Sequence, residues 1–207
     1  MSSSHSTSAD IQGEGVRARL GLWLFLLSEI LLFGGMFLLY AMYRYKYAPD
    51  FHAGSQELSR FDGTLNTIVL LTSSLTVVVA LHSLHVKHNV RRAAIFLAAT
   101  IALGLTFLVV KSFEWTAKFE HGLYPGAKFL LSQSHGLILF FGLYFTMTGL
   151  HALHVMVGMG VLSGVLNFVL RGKITPDHIT IMENGALYWH LVDIIWIFLF
   201  PLFYLIT

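Results

Sequence analysis

In the stretch WLFLLSEILLFGGMFLLY, Trp23 to Tyr40, Glu29 is the single formal charge. An ionisable group inside an apolar span costs about 2.5–3.5 kcal/mol or more on insertion scales, so it needs a use. Two uses fit. Glu29 is a proton-active or ligand-contacting carboxyl, or it is an uncharged side chain hydrogen-bonded to a neighbouring helix. Other polar groups sit in equally apolar company. His151 and His154 in LHALHV share one helix face, as do His82, His85 and His88. Asp193 follows His190 by three positions, and Glu114 follows Lys111 by three. Helical histidines invite a haem or metal reading. The i, i+3 spacing argues against it, because two imidazoles on one side of one helix do not oppose each other across an iron. No cysteine and no facial carboxylate triad completes a site either. The expectation is that this chain ligates no metal and carries no catalytic residue; a haem-binding membrane cytochrome stands as the alternative.

These groups are positioned by elements that composition defines. The chain has 207 residues, 56% hydrophobic and 12% charged, with a mean hydropathy of +0.70. Globular chains carry about 25% charged residues, so this one has too little polar surface to coat a soluble core. Its apolar runs are continuous rather than alternating, which selects membrane helices over a membrane barrel. The fold class expected is all-α: a polytopic membrane protein with a bundle of five transmembrane helices at about 20–43, 65–86, 93–113, 138–170 and 186–206. Residues 1–19 are polar and expected to form a flexible tail, and 20–207 make one domain. The first apolar run is too long for a signal-peptide core and lacks an A-x-A site, so it is taken as a retained span. A net charge of +2 without a basic stripe argues against nucleic acid as a partner. Zero cysteines remove disulfides, iron–sulfur ligation and thiolate copper sites.

The connections differ in character. KHNVRR is a tight basic turn, and YPGAKF carries a turn signal. With the N-terminus inside, the inner side holds Arg17, Arg19, Lys87, Arg91, Arg92, Arg171 and Lys173, and the outer side holds Arg44, Lys46, Arg60, Lys111, Lys118 and Lys128. Charge alone therefore orients the chain weakly, with the compact basic turns favouring N-inside. Trp23, Tyr40, Tyr43, Trp115 and Trp189 fit interfacial belts. Gly160 and Gly164 form a G-x-x-x-G that would permit close helix approach.

Four segments, in order, carry a family resemblance. RLGLWLFLLSEILLFGGMF is similar to the glutamate-bearing helix of subunit III of haem–copper terminal oxidases, the cytochrome c and quinol oxidase subunit 3 family. LNTIVLLTSSLTVVVALHSL is similar to the helix that follows. LHALHVMVGMGVL resembles the family's H-x-x-H-V-x-x-G segment, and ALYWHLVDIIWIFLFPLFYL resembles its closing Y-W-H-x-V-D-x-x-W helix. The matches cover most of the chain from Leu20 onward. The longest members have seven helices, and bacterial five-helix members lack the first two.

The resemblance implies an accessory subunit of a proton-pumping oxidase that reduces oxygen to water in aerobic respiration. It implies haem and copper in the partner subunits and none in this chain. It implies subunit I as the main contact, subunit II as a further partner, and phospholipid held in a cleft. It places the chain in the bacterial cytoplasmic membrane with the N-terminus inside and the C-terminus outside. A nitric oxide reductase accessory protein of the same superfamily is the nearest alternative. By position, Glu29 corresponds to the family's buried carboxyl. His151, His154, Glu114, His190 and Asp193 fall on motif positions, with roles in helix packing, hydrogen bonding and lipid head-group contact. Counting 1.5 Å per residue from the expected span ends puts Glu29 and His151 at similar depth. The expected partner of a protonated Glu29 is therefore His151.

Overall fold

The computed structural model describes residues 4–85, 89–172 and 176–206, with side chains placed for 20–84, 89–172 and 181–206. Among these residues the chain is all-α. Helix α1 runs Ser4–Lys46, α2 Ala48–Gln56, α3 Arg60–His85, α4 Val90–Glu120, α5 Lys128–Leu131, α6 His135–Leu170 and α7 Pro176–Tyr204. Five of them contain stretches long and apolar enough to cross a membrane: Leu20–Lys46, Arg60–Leu84, Val90–Glu120, His135–Leu170 and Ile181–Tyr204. The protein is a multi-pass membrane protein.

Helix ends follow local chemistry. The Asn89 side chain caps α4 by accepting from the Arg92 amide at 2.9 Å, and Ser134 caps α6 by accepting from the Leu137 amide. Gly122, with φ at 66°, turns the chain beyond the end of α4, and Gly126, at 89°, completes the turn expected at YPGAKF. Both conformations disfavour a Cβ. The expected tail falls partly inside α1, which is continuous from Ser4 because no proline interrupts it. The second and third spans are longer than expected, beginning at Arg60 and Val90.

Helices α2 and α5 were not foreseen. Apolar-run reading looks for spans, and these two are short pieces between them. Pro49 opens α2 in its first turn, where a missing N–H costs nothing. The helix then drives Phe51, fully buried, between Tyr40 and Phe140, with ring centroids at 5.3 and 5.4 Å. Phe203 of α7 joins the same aromatic cluster, 5.0 Å from Tyr40 and 5.7 Å from Phe140. Ser134 donates to Asp50 Oδ1 at 2.8 Å, tying α2 to the start of α6.

Helices α3, α4, α6 and α7 make the compact part of the bundle. In lipid no hydrophobic force holds helices together, so close packing and interhelical hydrogen bonds must do it. Two expectations change here. Trp189 is not an interfacial belt residue. It is fully buried and donates to Ser73 Oγ at 3.0 Å. Its ring lies against the backbones of Gly104 and Gly158, where an added Cβ would come within 2.8 Å of it. Tyr40 is also buried, whereas Trp23 is 63% exposed as a belt residue would be. Gly160 and Gly164 have nothing within 4 Å of where a Cβ would stand, so the G-x-x-x-G is not the contact. The chain uses Gly104 and Gly158 instead, because a large ring needs the missing Cβ.

Helix α1 sits at the edge. Leu26, Phe33 and Tyr40, spaced by seven, form its buried stripe, while Leu24, Leu27, Leu31 and Leu38 face outward. A narrow apolar seam of this kind makes contact along one line only. Glu29 lies on that seam, between Leu26 and Phe33.

Candidate functional site

The first polar centre joins α1 to α6. His154 Nε2 lies 2.8 Å from Glu29 Oε2, and His154 Nδ1 lies 2.7 Å from the Leu150 carbonyl oxygen. A carbonyl oxygen only accepts, so Nδ1 carries a proton. One further proton then occupies the bond between Nε2 and Glu29. Phe33 meets the imidazole edge-on at 5.5 Å, and the Tyr188 hydroxyl donates to the His154 carbonyl at 3.2 Å.

The partner expected for Glu29 was His151, and the structure corrects it to His154. Three residues along a helix change the direction of a side chain by about 60° and its height by about 4.5 Å. That offset turns His154 toward α1 and His151 away from it. His151 is fully buried against Phe107 at 5.4 Å and Trp196 at 5.2 Å, and neither ring nitrogen has a protein partner. Depth counting resolved the helix but not the face.

The second centre ties α4, α6 and α7. Lys111 Nζ donates to Glu114 Oε2 at 3.0 Å, to the Tyr144 hydroxyl at 2.9 Å and to the Tyr204 hydroxyl at 2.6 Å. These three bonds use all the protons of an ammonium. Tyr144 donates to Glu114 Oε1 at 2.8 Å, and Tyr204 donates to the same carboxylate at 2.7 and 2.9 Å. The network closes on itself: every donor has an acceptor. Lys111 is 2% exposed and Glu114 6%, so the ion pair stands largely out of solvent, where only such full satisfaction offsets desolvation.

The sequence flagged Glu114 and noticed Lys111, but not Tyr144 or Tyr204. Each tyrosine stands inside an apolar run, and a lone hydroxyl gives no periodic signal. A Tyr well inside a span rather than at its edge was the available hint.

On α7, His190 Nδ1 is bonded to Ser74 Oγ of α3 at 2.6 Å. Trp196 donates to Thr67 at 3.0 Å, so α3 and α7 are stitched in antiparallel register. Asp193 lies between these contacts, 3% exposed, with the Ser74 hydroxyl beside its carboxyl. His82 is exposed, and the side chains of His85 and His88 fall outside the described residues.

Among the described residues no three His, Asp or Glu side chains converge as a metal site would require. An apolar cavity of about 260 Å³ lies between α1, α6 and α7, lined by Leu22, Phe25, Val157, Val161 and Tyr188 among others. It adjoins the first polar centre through Tyr188.

The fold and these interior pairs define a helical multi-pass membrane protein whose buried polar groups fasten its own helices. A family model described as cytochrome c oxidase subunit III matches residues 4–207. Cytochrome c oxidase subunit 3 of Allomyces macrogynus is 34% identical over 189 residues, covering 87% of this chain and 63% of that protein. The subunit 3 of Gallus gallus is 34% identical over 194 residues, covering 90% and 68%. That of Thermostichus vulcanus is 32% identical over 191 residues, covering 91% and 87%. The chain thus spans about two thirds of the longer relatives and most of the cyanobacterial one. It belongs to the cytochrome c oxidase subunit III family.

Proposed function

We propose that this chain serves as an accessory subunit of a haem–copper oxidase, supporting oxygen reduction without a redox centre or catalytic site of its own. The observation that carries this is how its buried polar groups are used. Glu29 is spent on His154, and Lys111 on Glu114, Tyr144 and Tyr204. A catalytic group would instead face an open site with its base or acid. Haem and copper belong to partner subunits in this reading, with subunit I as the main contact and subunit II beside it. The chain lies in the bacterial cytoplasmic membrane with its N-terminus inside, in keeping with Arg91 and Arg92 after one short turn and Arg171 before another.

Phospholipid binding fits the apolar cavity between α1, α6 and α7, whose volume of about 260 Å³ takes part of an acyl chain and which is bounded by Phe25 and Tyr188. The bound lipid would brace the edge helix α1, whose contact with the bundle is otherwise a single seam. The function is tested by purifying the chain, affinity-tagged, from its native membrane. Co-purification of a large haem-bearing subunit with oxidase activity supports the proposal. A Soret band on the isolated chain would overturn it in favour of a membrane cytochrome.

A further inference from the structure

Two buried side chains lack a protein partner for every polar atom, Asn66 on α3 and His151 on α6, and a third, Asp193 on α7, has only the Ser74 hydroxyl beside it. Asn66 and His151 are fully buried and Asp193 is 3% exposed. Groups of this kind are partnered in native proteins, by ordered water when not by protein. His151 touches Trp196, and the other two neighbour it along the chain or through its hydrogen-bond partner. Asn66 adjoins Thr67, which accepts the Trp196 N–H; the His151 ring lies 5.2 Å from the indole; Asp193 is one turn away along α7. Water is both donor and acceptor, so it suits an amide, an imidazole and a carboxyl together.

The same tryptophan leads outward. Lys111 Nζ stands 5.4 Å from its ring, and Lys111 opens the network of Glu114, Tyr144 and Tyr204. Glu114 forms part of the lining of a cavity of about 300 Å³, together with Glu57, Ser59, Asp62 and Lys118. Glu57 and Ser59 belong to the link between α2 and α3, where the chain leaves its spans. Lys118 is fixed there by donating to the Glu57 carbonyl.

We infer that α3, α4, α6 and α7 enclose a hydrated polar column, entered from the aqueous phase at the Glu57–Asp62–Glu114 cavity and ending at His151, Asn66 and Asp193. Its ligand is water that exchanges with bulk solvent. The column is separate from the Glu29–His154 pair, which lies across α6 on the α1 side, and it holds whether or not the chain binds phospholipid.

Radiolytic hydroxyl-radical footprinting of the complete oxidase tests this, because radicals born from bound water oxidise the side chains beside it. The expected result is oxidation of buried Trp196 and Tyr204, alongside exposed Tyr45 as the control. Brief mixing with oxygen-18 water before exposure should place the heavy isotope in those products. Unmodified Trp196 and Tyr204 would show a dry interior. Products carrying only oxygen-16 after mixing would show sealed water and remove the entrance at Glu114. A high-resolution density map of the same complex gives an independent measurement. It should show solvent at hydrogen-bond distance from both His151 ring nitrogens and from the Asn66 amide; direct side-chain pairing there would overturn the column.

Discussion

Glu29 and His154 stand 125 residues apart in sequence and 2.8 Å apart in space, the carboxyl on the edge helix and the imidazole in the bundle. The contact gives each of two costly polar side chains a partner. It also gives α1 a polar link to α6, set among the apolar contacts of its seam.

Removing half of that pair should hurt more than replacing it. Glu29→Gln keeps an acceptor and a donor opposite His154 and should cost about 1 kcal/mol. Glu29→Ala leaves the imidazole facing no partner, a loss of about 1–3 kcal/mol, and should release bound lipid. Detergent-titrated unfolding of the complex, with lipid quantified by mass spectrometry, measures both. The double variant Glu29→Ala, His154→Ala should lose less than the sum of the single losses; strict additivity would mean the pair is not coupled.

Lys111 is the more sensitive position. Lys111→Met leaves Glu114 buried without its cation, and breaking a buried pair from one side costs about 3–5 kcal/mol. Replacing both partners, as Lys111→Met with Glu114→Leu, should recover much of the loss. Comparing the midpoints of thermal dissociation for the two variants decides it. A double variant no more stable than the single one contradicts the pairing.

The glycines separate two contacts that sequence could not. Gly158→Ala forces a Cβ to 2.8 Å from Trp189, and overpacking of this kind costs about 1–3 kcal/mol. Gly160→Ala meets nothing within 4 Å and should be neutral or slightly stabilising through helix propensity. Yield of assembled complex and its melting temperature report the difference; equal behaviour of the two variants would count against the Trp189 packing.

Topology is open to a direct test because the chain has no cysteine to remove. Gln133→Cys, in the exposed link before α6, should react with a membrane-impermeant maleimide in cells with a permeabilised outer envelope. Arg171→Cys, after α6, should react only once the cytoplasmic membrane is opened. The reverse pattern would invert the proposed orientation.

Spans were legible because apolar length is a strong signal in one dimension. Partners were not, because choosing between His151 and His154 requires knowing the rotation of α6 about its axis. Residue counting gives height and leaves rotation free. The Lys111 network shows the same limit. The i, i+3 spacing of Lys111 and Glu114 was visible on one helix, but Tyr144 and Tyr204 arrive from two others at positions with no pattern. Trp189 misled in a different way. Its type suggests the membrane surface, yet the missing Cβ atoms of Gly104 and Gly158 make a socket for it inside the bundle. Helix α2 escaped notice because its Phe51 contributes to the core from a segment too short and polar to register as a span.

The seam between α1 and α6 also sets a schedule. Glu29 is synthesised and inserted well before His154 exists. At about 5–20 residues per second, the 125 intervening residues take roughly 6–25 s. Throughout that interval the carboxyl resides in lipid without the imidazole. Its insertion cost is then met by the leucines around it, each favourable by about 0.3–0.6 kcal/mol at a span centre. The outward leucines of α1, which stay largely exposed on the finished bundle, are the residues that carry the helix through its wait. Diluting them with alanine should leave the mature contacts intact and still lower the yield, as a defect of biogenesis rather than of stability.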